Sequence, residues 1–100
     1  EKLHIKNRRR DMKAVLTVIG RDTIGIIAKV SGYLAENKIN ILDISQTIME
    51  DIFTMVMLVD LSAAEKDISV ISDELEKAGD TIGVEIKIQH DKIFKSMHRI

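Results

Sequence analysis

Between residues 14 and 36 the chain passes from a short run rich in β-branched residues, Ala14-Val15-Leu16-Thr17-Val18-Ile19, into a segment with helical spacing. The link between them is Gly20-Arg21-Asp22-Thr23-Ile24-Gly25-Ile26-Ile27. That change of hydrophobic period predicts a strand followed at once by a helix. A corner with two glycines at a helix start brings backbone N–H groups to the surface. There they attract the carboxylate or phosphate of a small ligand.

The first helix is expected from about Gly25 to Asn37. Asp22 or Thr23 can cap it, and Ile27, Val30 (or Ser31) and Leu34 fall on one face. A second strand runs from about Ile39 to Ile48. Met49-Glu50-Asp51-Ile52 reads as a turn without a glycine, and Phe53 to Leu61 as a third strand. Ser62-Ala63-Ala64-Glu65 has the form of a capping box. A second helix is predicted from there to Ala78, with Ile68, Ile71, Leu75 and Ala78 along one side and Gly79 as its stop. Val84 to Gln89 alternates as a strand with one wet face. The tetrapeptide Asp-Thr-Ile-Gly recurs at 80–83 as a turn, and the repetition is taken as chance.

The order β-α-β-β-α-β with right-handed crossovers gives an α+β, ferredoxin-like sandwich. Its four-stranded antiparallel sheet has strand order 4-1-3-2, with both helices on one face. Strands 1 and 3 are apolar on both faces, so the sheet face away from the helices needs a cover. A second subunit is the first expectation, and the C-terminal segment is its rival.

Composition narrows the function. One hundred residues make one small domain, and 45 % apolar content suits a globular chain. No apolar stretch approaches the roughly 20 residues that cross a bilayer. Cysteine is absent, which removes thiolate nucleophiles and disulfides and fits a cytoplasmic setting. Residues 1–11 carry a net +3 and read as a flexible basic leader, leaving −4 on the rest. The folded domain is expected over 12–90, followed by a C-terminal extension, 91–100, that can be helical with Ile93, Phe94, Met97 and Ile100 on one side. A mildly acidic body argues against nucleic acid. So does the lack of an aromatic pair on strands 1 and 3. His4, His90 and His98 have no metal-ligand spacing. Met55 and Met57 read as core or interface filler.

The run Asp22-Thr23-Ile24-Gly25-Ile26-Ile27-Ala28-Lys29-Val30, followed by Leu34 to Gln46 with Asn40-Ile41 at the entry of strand 2, resembles an ACT domain. The resemblance spans about residues 13–89. In particular the chain resembles small stand-alone bacterial ACT proteins, and those are similar to the ACT segments of formyltetrahydrofolate deformylases and the glycine-cleavage repressor. It implies a regulatory module that binds an amino acid or similar ligand and has no cofactor. Such domains usually pair, with the ligand between the corner of one subunit and strand 2 of another. By position, the implied ligand residues are Asp22, Thr23, Ile24, Gly25, Ile26, Ile27, Asn40 and Gln46. Ile24 stands where the family often has proline, so the corner is less rigid.

Each of these residues also has a plainer reading. Gly25 either admits a ligand or makes room for the helix. Asp22 either meets a ligand amine or caps. Asn40 either bonds a ligand or caps the preceding loop. Gln46 is expected on the same side of a regular strand as Asn40. Arg21 is read as a solvated loop charge. Two other functions compete: a ligand-free dimerisation or protein-interaction module, and an acylphosphatase-like enzyme using Arg21 and Asn40. No nucleophile–base pair supports the second. A non-catalytic reading is therefore preferred. A separate regulated protein is an expected partner; nucleic acid and membrane are not.

Overall fold

A computed structural model describes residues 12–21 and 24–91. β1 (Lys13–Arg21) lies between β3 (Ile52–Asp60) and β4 (Val84–His90), antiparallel to both. β2 (Asn40–Met49) pairs with the outer side of β3. The sheet order is β2-β3-β1-β4, the predicted arrangement. The helices α1 (Ile26–Glu36) and α2 (Ile68–Ile82) complete the βαββαβ sequence.

The core follows from strand alternation. Ala14, Leu16 and Val18 of β1 share one buried cluster with Phe53, Met55, Met57 and Val59 of β3 and with Val84, Ile86 and Ile88 of β4. Ile26, Val30 and Leu34 of α1 and Ile71 and Leu75 of α2 close it from the helix side. Glu85 and Lys87 of β4 are exposed, giving that edge its wet face. Residues of opposite parity on β1 and β3, including Ile19, Ile52 and Val56, make the second apolar face that the sequence implied.

Several boundaries differ from expectation. β1 does not stop at Ile19; it continues through Gly20 and Arg21, which pair with Phe53 and Ile52. Gly20 is therefore a strand residue, not part of the corner. The Ser62–Glu65 capping box does not form. Instead the Asp60 carboxylate accepts the Ser62 N–H (2.9 Å), and the Ala64 N–H donates to the Leu61 carbonyl (3.0 Å). This local turn outcompetes the box because Asp60 reaches the backbone two residues on. α2 starts only after Asp67, whose carbonyl accepts the N–H groups of Val70 and Ile71. Its end also moves. Gly79 lies inside the helix, buried, and Gly83 at φ 76° is the left-handed cap. The second Asp-Thr-Ile-Gly is thus the last turn of α2 with its cap. The β2–β3 hairpin turns without glycine because Glu50 itself takes the left-handed conformation, φ 58°.

The two interior glycines meet at one residue. A Cβ on Gly20 would lie 2.6 Å from Val84 Cγ1, and a Cβ on Gly79 would lie 2.6 Å from the Val84 carbonyl oxygen. Glycine is needed at both places for close approach, not for backbone freedom. A second tie joins the helices. The Tyr33 hydroxyl donates to Glu74 Oε1 (2.7 Å), which also accepts from Lys66 Nζ (2.8 Å). Burial, reinforced by the Glu74 carboxylate, raises the Tyr33 pKa well above its ordinary value. The Lys66 hydrogen bond, with that of Tyr33, lowers the Glu74 pKa.

Two outcomes are expected. Gly79→Ala lowers unfolding stability by about 1–3 kcal/mol through overpacking. Gly32→Ala, at an exposed helical site with open space around it, raises stability by up to about 1 kcal/mol. Denaturant melts of both variants check this. The second concerns the single tyrosine. A raised folded-state pKa means that the tie is complete below about pH 10 and is lost as pH climbs toward the folded value. Absorbance titration should therefore show tyrosinate forming together with unfolding. Half-titration near pH 10 with the fold intact would contradict the Tyr33–Glu74 tie.

Candidate functional site

The corner is built where β1 runs out and α1 begins. Gly25 occupies the N-cap position at φ 95°, a left-handed conformation that suits glycine, and has no side chain to cap with. The first intrahelical bond is from the Lys29 N–H to the Gly25 carbonyl (2.9 Å). The N–H groups of Ile26, Ile27 and Ala28 precede it and have no intrahelical acceptor. No acidic residue occupies the first turn, so nothing within the helix offsets its positive end. This is the backbone arrangement that the sequence implied, with one glycine rather than two. Asp22 and Thr23, expected as caps and ligand residues, lie outside the described residues.

The side chains of the corner divide differently from expectation. Ile26, not Ile27, joins Val30 and Leu34 on the buried face; Ile27 is exposed. The difference is one residue of helix phase. It follows from the start at Ile26, since i, i+4 and i+8 share a face. Ile24 stands fully exposed in the turn. Arg21 is a strand-end residue rather than a loop charge, and its Nη1 lies 3.2 Å from Asp51 Oδ2 on the β2–β3 turn. Both side chains are well exposed, so the pair contributes at most about 1 kcal/mol.

Asn40 and Gln46 are not brought to this corner within one chain. Asn40 pairs with Asp60, which pairs with Lys13 at the far end of β1 from Arg21. Eight residue steps separate the two ends, roughly 27 Å at about 3.4 Å per residue. The hairpin end of β2, Met49, is the part level with Arg21, through Ile52. Nor do Asn40 and Gln46 share a side. The β2–β3 register shifts between Ile41 and Asp43, and this bulge inserts one residue. Asn40 consequently sits opposite Asp60 on the open face, whereas Gln46 sits opposite Met55 on the helix side. An extra residue reverses every side chain beyond it. The pairing of Arg21 with Asn40 that an acylphosphatase-like site needs is absent for the same reason: the two residues occupy opposite ends of the sheet.

The feature that residue-by-residue reading missed is the β2 edge. All ten residues from Asn40 to Met49 are exposed or half-buried, and Ile44 and Ile48 stand exposed on the helix side. The segment holds one charge, Asp43, and no proline or lysine. Natural edge strands are usually blunted by such residues. The signal was available: a long alternating run with little charge, placed by the strand order at an edge. Among the described residues, no group of three His, Cys, Asp or Glu could hold a metal ion, and no helix is long and apolar enough to cross a membrane.

Element order and sheet order together define a class, the ferredoxin-like βαββαβ domain. A family profile described as the ACT domain matches residues 13–89. The chain belongs to the ACT domain family. A UPF0237 protein of Methanocaldococcus jannaschii is 56 % identical over 88 residues, covering 88 % of this chain and 98 % of that protein. An ACT domain protein from Streptococcus pneumoniae is 45 % identical with a TM-score of 0.75, covering 87 % of this chain and 98 % of its own. The fold is also that of part of a Pseudomonas syringae formyltetrahydrofolate deformylase (20 % identity, TM-score 0.72, 88 % of this chain and 30 % of the enzyme). It is likewise found in a putative glycine cleavage system transcriptional repressor (23 %, 0.65, 77 % and 44 %).

The helix phase gives a direct check on the corner. Ile26→Ala should cost about 2–5 kcal/mol by cavity formation, and Ile27→Ala less than about 1 kcal/mol. Equal losses in chemical unfolding would contradict the placement of Ile26 in the core.

Proposed function

We propose that this chain is a non-catalytic regulatory module that binds an amino acid between two copies paired along β2. The observation that carries the reading is the nearness of two unfinished features. A helix start at Gly25 with no side-chain cap among the described residues follows the Arg21 end of β1, and the Met49 end of the ten-residue edge strand is level with it across β3. The α-carboxylate takes the N–H groups of Ile26, Ile27 and Ala28, a charge-assisted arrangement. Asp22 and Thr23 supply the polar wall for the amine, and Ile24, Gly25 and Ile27 the lip of the pocket.

Antiparallel pairing of two β2 strands supplies the missing wall. Strand direction then reverses across the two-fold axis. The Asn40 end of one β2 comes alongside the Met49 end of the other, the end level with Arg21 and the corner. Asn40 of one subunit and the corner of the other thus serve one ligand, and Gln46 lies in the same seam on the helix side. Pairing also covers Ile44 and Ile48. Membership in the ACT family supports this reading, as does the resemblance stated for the corner residues. A ligand-free interaction module keeps the edge pairing but leaves the corner empty.

The test is ligand-induced stabilisation across the amino acids, with mass measured in solution. The wild-type chain should be a dimer, and at least one amino acid should raise its melting temperature saturably. Ile48→Lys, at an exposed site, should give folded monomers whose affinity for that amino acid is lower by at least about tenfold, or about 1.4 kcal/mol. A dimer stabilised by no amino acid would leave only the interaction module.

A further inference from the structure

The two flanks of α1 face different surroundings. An α-helix advances about 100° per residue, so Tyr33 and Ile27 stand roughly 60° to either side of the buried stripe of Ile26, Val30 and Leu34. The Tyr33 hydroxyl donates to Glu74 Oε1 (2.7 Å), which turns that flank toward α2. α2 itself lies against β4, where Gly79 meets Val84 and Ile86. The Ile27 flank is therefore turned away from α2 and toward β2, the strand that α1 also touches.

Register decides which part of β2 lies on that side. Ile48 pairs with Phe53, which pairs with Gly20, one residue before the end of β1. Ile48 is thus level with the start of α1, on the helix side of the sheet. Ile27 is 44 % exposed and Ile48 56 %. The exposed flank of a surface helix ordinarily carries polar or charged residues. Here Ile27 is followed on its flank by Ser31, and Ile48 on its side of the strand by Gln46 and Ile44, none of them charged. Lys29, two residues beyond Ile27, falls nearly opposite it on the helix. Arg21 and Asp51, at the same end of the sheet, are bonded to each other (3.2 Å).

We infer that Ile27 and Ile48 hold the side chain of the bound amino acid, and that the ligand is one with a large aliphatic side chain, of the leucine, isoleucine, valine and methionine class. This rests on the reading of the corner as an amino-acid site. A carboxylate held by the N–H groups of Ile26, Ile27 and Ala28 sets the rest of the ligand beside Ile27. An uncharged apolar surface offers a charged side chain no partner in exchange for the water it loses. It gives glycine nothing to bury. Pairing along β2 shields Ile48 from the edge of the strand only, and the side toward Ile27 stays open to the ligand. Ile27 is then the specificity-determining residue, and Ile48 serves both pocket and interface.

Calorimetric titration of the full chain with leucine, alanine, glycine, glutamate and lysine tests it. Leucine should bind at least about tenfold more tightly than alanine or glycine. Glutamate and lysine should show no saturable binding at concentrations where leucine saturates. Ile27→Ala should weaken leucine at least about fivefold more than it weakens alanine, and Ile27→Leu should keep the wild-type preference. A variant that is merely less stable would not move that ratio. Glycine or a charged amino acid bound as tightly as leucine, or an unchanged preference in Ile27→Ala, overturns the aliphatic pocket and leaves the corner an amino-acid site. Binding of no amino acid at all overturns the corner reading, and the pocket with it.

Discussion

Val84 sits in a notch made by two glycines. Gly20 on β1 lets its side chain approach, and Gly79 on α2 lets the helix press onto its carbonyl. This contact sets α2 close against β4 and β1, above Val84, Ile86 and Ile88. α1 follows from that same end of β1 and places Ile26, Val30 and Leu34 in the same cluster. Two helices held in this way cover β1, β3 and β4 but only the Ile41 end of β2. The rest of β2 is left outside, with Ile44 and Ile48 exposed on the side where a third helix would lie. The exposed β2 edge is thus a by-product of how tightly the core closes.

The same geometry explains why the proposed ligand site is half a site within one chain. The corner at Gly25 offers backbone N–H groups and a helix dipole with no acidic residue in the first turn of the helix. Asn40 lies at the opposite end of the sheet. Only reversal of strand direction, as in antiparallel pairing with a second β2, returns such a residue to the corner.

The fold was legible because each element announces its period. The β-branched run at 14–19, the clean alternation of Val84 to Gln89 and the three–four spacing of Ile68, Ile71 and Leu75 all placed elements correctly. Ends were less legible. Ser62-Ala63-Ala64-Glu65 satisfies every local rule for a helix start, but the Asp60 carboxylate takes the Ser62 N–H first. Gly79 looks like a stop, and only the proximity of the Val84 carbonyl explains a glycine inside the helix. Neither fact lies in the local sequence. The corner was found from its glycines, but the phase of α1 depended on a single residue, so Ile26 and Ile27 exchanged roles. The bulge between Ile41 and Asp43 has no sequence mark, and it alone separates Asn40 from Gln46.

The most direct measurement is a titration of the wild-type protein with each amino acid in turn, followed by amide NMR. The backbone amides of Ile26, Ile27 and Ala28 and the side-chain amide of Asn40 should shift together, with one dissociation constant. Shifts at the helix start without Asn40, or with a different dissociation constant, would contradict a site completed across β2.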